Sequence, residues 1–269
     1  MPKIPRIISV ANQKGGVGKT TTTINLGAAL AASGLKVLII DLDPQGNAST
    51  GLGIEQADRK RSTYDLILND APLDDVAISA NVPNLWITPA TTDLSSADLE
   101  LVSTARRVFL LKDALRNTET YVMEFDYILI DCPPSLNLLT LNAMVASDTV
   151  LVPLQAEFFA LEGLSQLMLS VREIRETANP ELRLEGVVLT MYDRRNNLCH
   201  QVEIDARENL QALVFKTMIP RNVRLSEAPS YGMPVINYDP TSRGAVAYKA
   251  LAREILERQI SSGKASHGG

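Results

Sequence analysis

The sequence predicts a doubly wound α/β fold, a mostly parallel sheet with helices on both faces. Three observations carry this. Short runs of consecutive apolar residues recur along the chain, and segments with helical spacing separate them. The first run leads directly into a glycine-rich turn and then a helix. Strands that are apolar on both faces need cover on both faces, and parallel neighbours need crossovers long enough to hold a helix.

The elements follow in order. Residues 6–11 form the first predicted strand, 20–32 an Ala/Leu-rich helix and 36–42 a second buried strand. Further strands are predicted at 85–89, 126–130, 149–154, 184–190 and 215–219. Helical patterns fall at 96–115, 138–145, 160–177 and 202–213. Residues 53–62, with the charge run Asp58-Arg-Lys-Arg61, read as a surface loop. Residues 1–260 are expected to form one domain, and 261–269, small and polar, a disordered tail.

Composition narrows the function. The chain has 269 residues, 45% hydrophobic and 21% charged, with a formal charge of −5. This excludes a disordered chain, a collagen, a membrane channel and a bulk-basic DNA packager. Two cysteines, Cys132 and Cys199, cannot build a disulfide framework or a four-thiolate zinc site, so a reducing cytoplasm is expected. Residues 1–183 carry 15 Lys/Arg against 22 Asp/Glu, and residues 184–269 carry 11 against 9. This mild asymmetry needs specific arginines before it implies nucleic acid.

The turn after the first strand reads Asn12-Gln-Lys-Gly-Gly-Val-Gly-Lys-Thr-Thr21. Gly15, Gly16 and Gly18 let successive backbone N–H groups, including that of Val17, converge on an anion. The helix starting at Lys19 adds its positive end. Lys19 can reach β- and γ-phosphates, Thr20 can offer its hydroxyl to Mg²⁺, and Thr21 follows in the cradle. Gln13 stands where glycine usually opens such a loop. Lys14 is one lysine more than a single nucleotide needs.

The second strand ends Asp41-Leu-Asp43-Pro-Gln-Gly-Asn. Period two puts Asp41 and Asp43 on one side, at the carboxyl end of the sheet, where doubly wound folds bind ligands. Two carboxylates repel a polyphosphate unless Mg²⁺ lies between or a water needs orienting. Asp131 ends Tyr127-Ile-Leu-Ile-Asp131, the form of a Walker B strand, whose aspartate holds Mg²⁺ through water. Any one of these aspartates could instead cap a helix. Three of them with a phosphate loop upstream favour the metal and nucleotide reading.

The loop Lys14-Gly-Gly-Val-Gly-Lys-Thr20 resembles the deviant phosphate loop of the ParA/MinD ATPase superfamily. With Asp41-Leu-Asp-Pro-Gln-Gly-Asn-Ala48, Asp131-Cys-Pro-Pro134 and Ile219-Pro-Arg-Asn-Val-Arg-Leu-Ser-Glu-Ala-Pro229, the chain resembles the chromosomal ParA/Soj proteins over nearly its whole length. The resemblance implies ATP and Mg²⁺ as cofactors, with Thr20, Asp41 and Asp131 supporting the metal. It implies an ATP-bound sandwich homodimer in which Lys14 reaches the partner's nucleotide, and Asp43 as the residue that positions the attacking water. It implies binding to non-specific double-stranded DNA through Arg195 and Arg224, with Arg194 and Arg221 as neighbours. A ParB-type centromere-binding partner would stimulate slow hydrolysis, and the protein would be cytoplasmic and nucleoid-associated. The adenine is expected between Met191 and Pro220.

Other readings make other demands. A MinD-like membrane-associated positioning ATPase needs a C-terminal amphipathic membrane helix. Residues 246–260 are amphipathic, but the stripe Val246, Leu251, Ile255 reads more simply as core. An electron carrier like the nitrogenase iron protein needs two cluster cysteines per subunit, and Cys132 and Cys199 are far apart in sequence. A non-enzymatic DNA scaffold leaves Asp41, Asp43 and Asp131 without a role.

Overall fold

The computed structural model describes residues 4–102, 106–116, 124–157 and 160–266. The order begins β1 (Arg6–Val10), α1 (Lys19–Ala32), β2 (Val37–Asp41), α2 (Asn47–Gly51), α3 (Thr63–Leu68), α4 (Leu73–Val76), β3 (Ile78–Ser79), β4 (Leu85–Thr88), α5 (Leu94–Val102) and α6 (Leu110–Arg116). It continues β5 (Tyr127–Asp131), α7 (Leu138–Ala146), β6 (Thr149–Gln155), α8 (Ala160–Thr177), β7 (Arg183–Thr190), α9 (Asn197–Leu210), α10 (Val223–Glu227), α11 (Val235–Tyr238) and α12 (Arg243–Ser266).

The strands form one seven-stranded sheet in the order β3-β4-β2-β5-β1-β6-β7, parallel except for β3. Alternate residues of each central strand feed opposite cores. Ile7, Leu38, Ile40, Ile128 and Ile130 pack beneath α3 and α5–α9. Ile8, Val10, Val37, Ile39 and Leu129 pack beneath α1, α11 and α12. The doubly wound expectation is met, because both faces of the sheet are covered. No described helix is long and apolar enough to cross a membrane.

Five expectations are corrected. The strand predicted at 215–219 does not form. Phe215 and Ile219 donate to β7 carbonyls, but the amides of Lys216 and Thr217 turn to the Glu254 carboxylate on α12 and break the ladder. The helix predicted at 96–115 is two helices, α5 and α6. Between them Arg106 takes a left-handed φ of 61°, which a helix interior does not allow. The charge run 58–61 is not wholly solvated, since Arg59 is buried. In the α12 stripe, Leu251 and Ile255 are core but Val246 is exposed; Ala245 and Tyr248 take the inner face instead. Helix α12 continues to Ser266, past the residue where a tail was expected, and 267–269 lie outside the described residues. The two-residue edge strand β3 had no sequence signal.

Candidate active site

Strands β2, β5 and β1 are neighbours and end level, with Asp41 opposite Asp131 and Val10 opposite Asp131. The phosphate loop leaves β1 at this edge. Gly16 and Gly18 adopt φ values of 76° and 89°, a left-handed backbone that a side chain would strain. Thr190 Oγ1 donates to the Val17 carbonyl and pins the loop to the end of β7.

Lys19 is buried at the start of α1, and its Nζ donates to the Lys14 carbonyl 3.0 Å away. The side chain folds back over its own loop, where a phosphate oxygen would replace that carbonyl. Burial pushes the Lys19 ammonium down, and Asp131 partly opposes this.

The three carboxylates differ in their partners. Asp131 is fully buried and accepts from Thr20 Oγ1 (2.7 Å) and Thr23 Oγ1 (3.0 Å). Burial, with Asp41 nearby, pushes its pKa up to about 8. Asp41 accepts from the Ser49 amide (2.8 Å) and hydroxyl (2.7 Å) through one oxygen and from the Asp43 amide (3.3 Å) through the other. Burial raises it to about 6 against those bonds. These partners tie Asp41 to the start of α2. Asp43 lies at the cavity wall and accepts from the Gln45 amide at 3.0 Å.

A cavity of about 530 Å³ opens above this edge. Its walls include Gly15, Gly16, Gly18, Lys19, Thr20, Thr21, Asp43 and Met191. The sequence reading missed Gln45, Asn47, Pro229 and Met233, which also line it. Pro220, expected beside Met191, lines a separate groove. Among the described residues no group of three or more His, Cys, Asp or Glu side chains is arranged to hold a metal ion. Mg²⁺ commonly takes only one or two carboxylates and completes its shell with waters and substrate phosphates. The Thr20 hydroxyl on a buried, charge-starved Asp131 fits that mode. Cys132 and Cys199 are buried and unpaired, and burial pushes the Cys132 thiol up.

Lys14 is half-exposed and forms an ion pair with Glu157 of its own chain, just past β6. The separate groove, about 1070 Å³, gathers Arg194, Arg195 and Arg221 with Lys216 and Arg243. Arg195 is 93% exposed and lies 3.5 Å from Asp193. Arg224 is not among the groove residues. It sits on α10, bound to Glu227 (2.7 Å) and Asp239 (3.4 Å), and these carboxylates raise its pKa.

A family profile described as an AAA domain matches residues 5–184. The chromosome partitioning protein ParA of Caulobacter vibrioides is 55% identical over 94% of this chain and 95% of its own length. The sporulation initiation inhibitor protein Soj of Bacillus subtilis is 54% identical over 93% of this chain and 98% of its own. Among solved structures, cobyrinic acid a,c-diamide synthase from Mycobacterium smegmatis, with bound ADP and magnesium, superposes with a TM-score of 0.82 at 34% identity over 96% of both chains.

Proposed function

Because this chain belongs to the ParA/Soj family of chromosome-partitioning proteins, we propose that it is a Mg²⁺-dependent ATPase that drives DNA segregation in the cytoplasm. Its ATP-bound form is a homodimer that holds double-stranded DNA without sequence preference. A ParB-type partner stimulates slow hydrolysis and thereby releases the DNA. The observation that carries the reading is Asp43 in the same cavity wall as Lys19 and Thr20.

The geometry supports the following roles. The phosphate loop amides and Lys19 bind the phosphates, and Lys19 exchanges its Lys14 carbonyl for a phosphate oxygen. The bound Mg²⁺ supplies charge neutralisation on the phosphates. Thr20 and Asp131 would hold that ion, with Thr23 fixing the second Asp131 oxygen. Asp41, held by Ser49 and the Asp43 amide, organises the loop beneath Asp43 and would support the ion from there. Asp43 orients the attacking water in line with the γ-phosphate. Phosphoryl transfer asks little more of a protein than this positioning and charge stabilisation.

Lys14 leaves Glu157 and contributes its charge to the nucleotide of the second copy. Arg194, Arg195 and Arg221 form one half of a basic patch, which the two-fold axis doubles. A chain with net charge −5 repels DNA as a whole, so binding depends on that doubled patch and hence on ATP. The test is ATP turnover measured alone, with DNA, and with DNA plus a ParB-type N-terminal peptide. Turnover stimulated by the combination supports the reading. Turnover indifferent to both ligands contradicts it.

A further inference from the structure

We propose that Arg59 is a positioning residue for ATP hydrolysis, whose guanidinium locks the loop carrying Asp43 against the end of β4. The inference rests on the reading of Asp43 given above and adds a residue outside the nucleotide cavity.

The charge run around Arg59 does not behave as a unit. Arg61 makes an exposed ion pair with Asp75, whereas Arg59 is only 8% exposed. A buried guanidinium is costly unless its donors are matched. Here they are matched by three acceptors. Nε (3.1 Å) and Nη2 (2.8 Å) both donate to the Ile54 carbonyl. Nη2 also donates to Thr50 Oγ1 (2.8 Å), and Nη1 donates to the Ala90 carbonyl (3.0 Å). One side chain thereby ties α2, the turn after it and the segment after β4. A lysine, with a single point charge, cannot span that fork.

Two paths lead from this clamp to Asp43. The first is direct packing. Gly46 has φ +63°, and a Cβ there would lie 2.3 Å from Arg59 Nη1 and 3.2 Å from the Ala90 carbonyl oxygen. The Gly46 amide donates to the Asp43 carbonyl at 2.8 Å, so the turn that carries Asp43 rests on the guanidinium. The second path is a hydrogen-bond chain. Arg59 holds the Ala90 carbonyl, while the Ala90 amide donates to Ser49 Oγ at 3.0 Å. Ser49 Oγ donates to Asp41, and Asp41 accepts from the Asp43 amide. Both paths end on the Asp43 backbone. A water-orienting carboxylate displaced by about 1 Å can lose on the order of a hundredfold in rate.

The test compares Arg59→Met, Arg59→Lys, Arg59→Ala and Asp43→Ala in the full chain with ATP, Mg²⁺, DNA and the ParB-type peptide. Each is assayed at a temperature where circular dichroism shows it fully folded. Arg59→Met is expected to lower kcat by about tenfold or more while the ATP Kd stays within about threefold and the ATP-dependent dimer still forms. Arg59→Lys is expected to fall between, and methylguanidinium added to Arg59→Ala is expected to recover part of kcat. If Arg59→Met does not fold, the kcat-against-Kd split of Arg59→Lys carries the test. Unchanged kcat overturns the proposal, and so does a loss of ATP affinity in step with kcat, which marks a merely structural role. Normal turnover in Asp43→Ala overturns the reading beneath it. An inactive Asp43→Ala beside normal Arg59 variants removes only the role of Arg59.

Discussion

Lys14 and Glu157 form an ion pair within one chain, between the phosphate loop and the end of β6. The lysine assigned to a second copy's nucleotide is thus held at home by a carboxylate. Both side chains are partly exposed, so the pair is worth at most about 1 kcal/mol. Each copy gives up one such pair on dimerising, so Glu157→Gln should shift ATP-dependent dimerisation to a lower protein concentration by up to about thirtyfold. Lys14→Ala should bind ATP as a monomer and not dimerise. Light scattering against concentration, with and without ATP, checks both. A normal ATP dimer in Lys14→Ala would remove the trans role.

Lys19→Ala should lose ATP binding altogether. Lys19 Nζ is the cation already poised over the loop, donating to the Lys14 carbonyl at 3.0 Å. Titration of a fluorescent ATP analogue decides the point. Retained affinity would show that the loop amides suffice.

Stability should depend on pH in an unusual direction when metal and nucleotide are absent. Burial raises Asp131 to about 8 and Asp41 to about 6, well above an ordinary carboxylate near 3.8. The folded chain then holds protons that the unfolded chain has released. Stability should fall as pH climbs from about 4 towards 8, through the two folded pKa values. Thermal melts in EDTA between pH 5 and 8.5 measure this. Asp131→Asn should flatten the upper part of the slope, and a melting temperature rising with pH across that window would refute the assignment.

The arginines proposed to contact DNA should not be equivalent. Arg195 is almost fully solvated, whereas Arg224 already satisfies Glu227 and Asp239. Arg195→Ala should lower affinity about equally on unrelated duplexes. It should reduce the log–log salt slope by about two per dimer, one phosphate from each copy. Arg224→Ala should cost less, and Glu227→Gln should strengthen binding by freeing the guanidinium. Isotherms at several salt concentrations distinguish these outcomes. An unaltered slope in Arg195→Ala would put the DNA face elsewhere.

What the sequence revealed was local. Gly15 to Thr20 specify a loop by register alone, and Asp41, Asp43 and Asp131 each end an apolar run, so both features read directly. Residues whose roles depend on distant partners did not. Arg59 looked solvated because Ile54, Thr50 and Ala90 meet it only in the fold. Residues 215–219 looked like a strand because their apolar pattern is correct, but Glu254, nearly forty residues on, captures two amides. Pro220 follows the expected strand yet lines the basic groove, bridged to Tyr192.

Single-turnover hydrolysis by Asp43→Ala tests the water-positioning role most directly. Asp43 stands at the cavity wall with Gln45 fixing one oxygen of its carboxylate. The variant should bind ATP and Mg²⁺, dimerise and hold DNA, yet hydrolyse at least about a hundredfold more slowly than the native chain in the presence of the ParB-type peptide. Hydrolysis at near-native rate by that DNA-bound dimer would remove that role from Asp43.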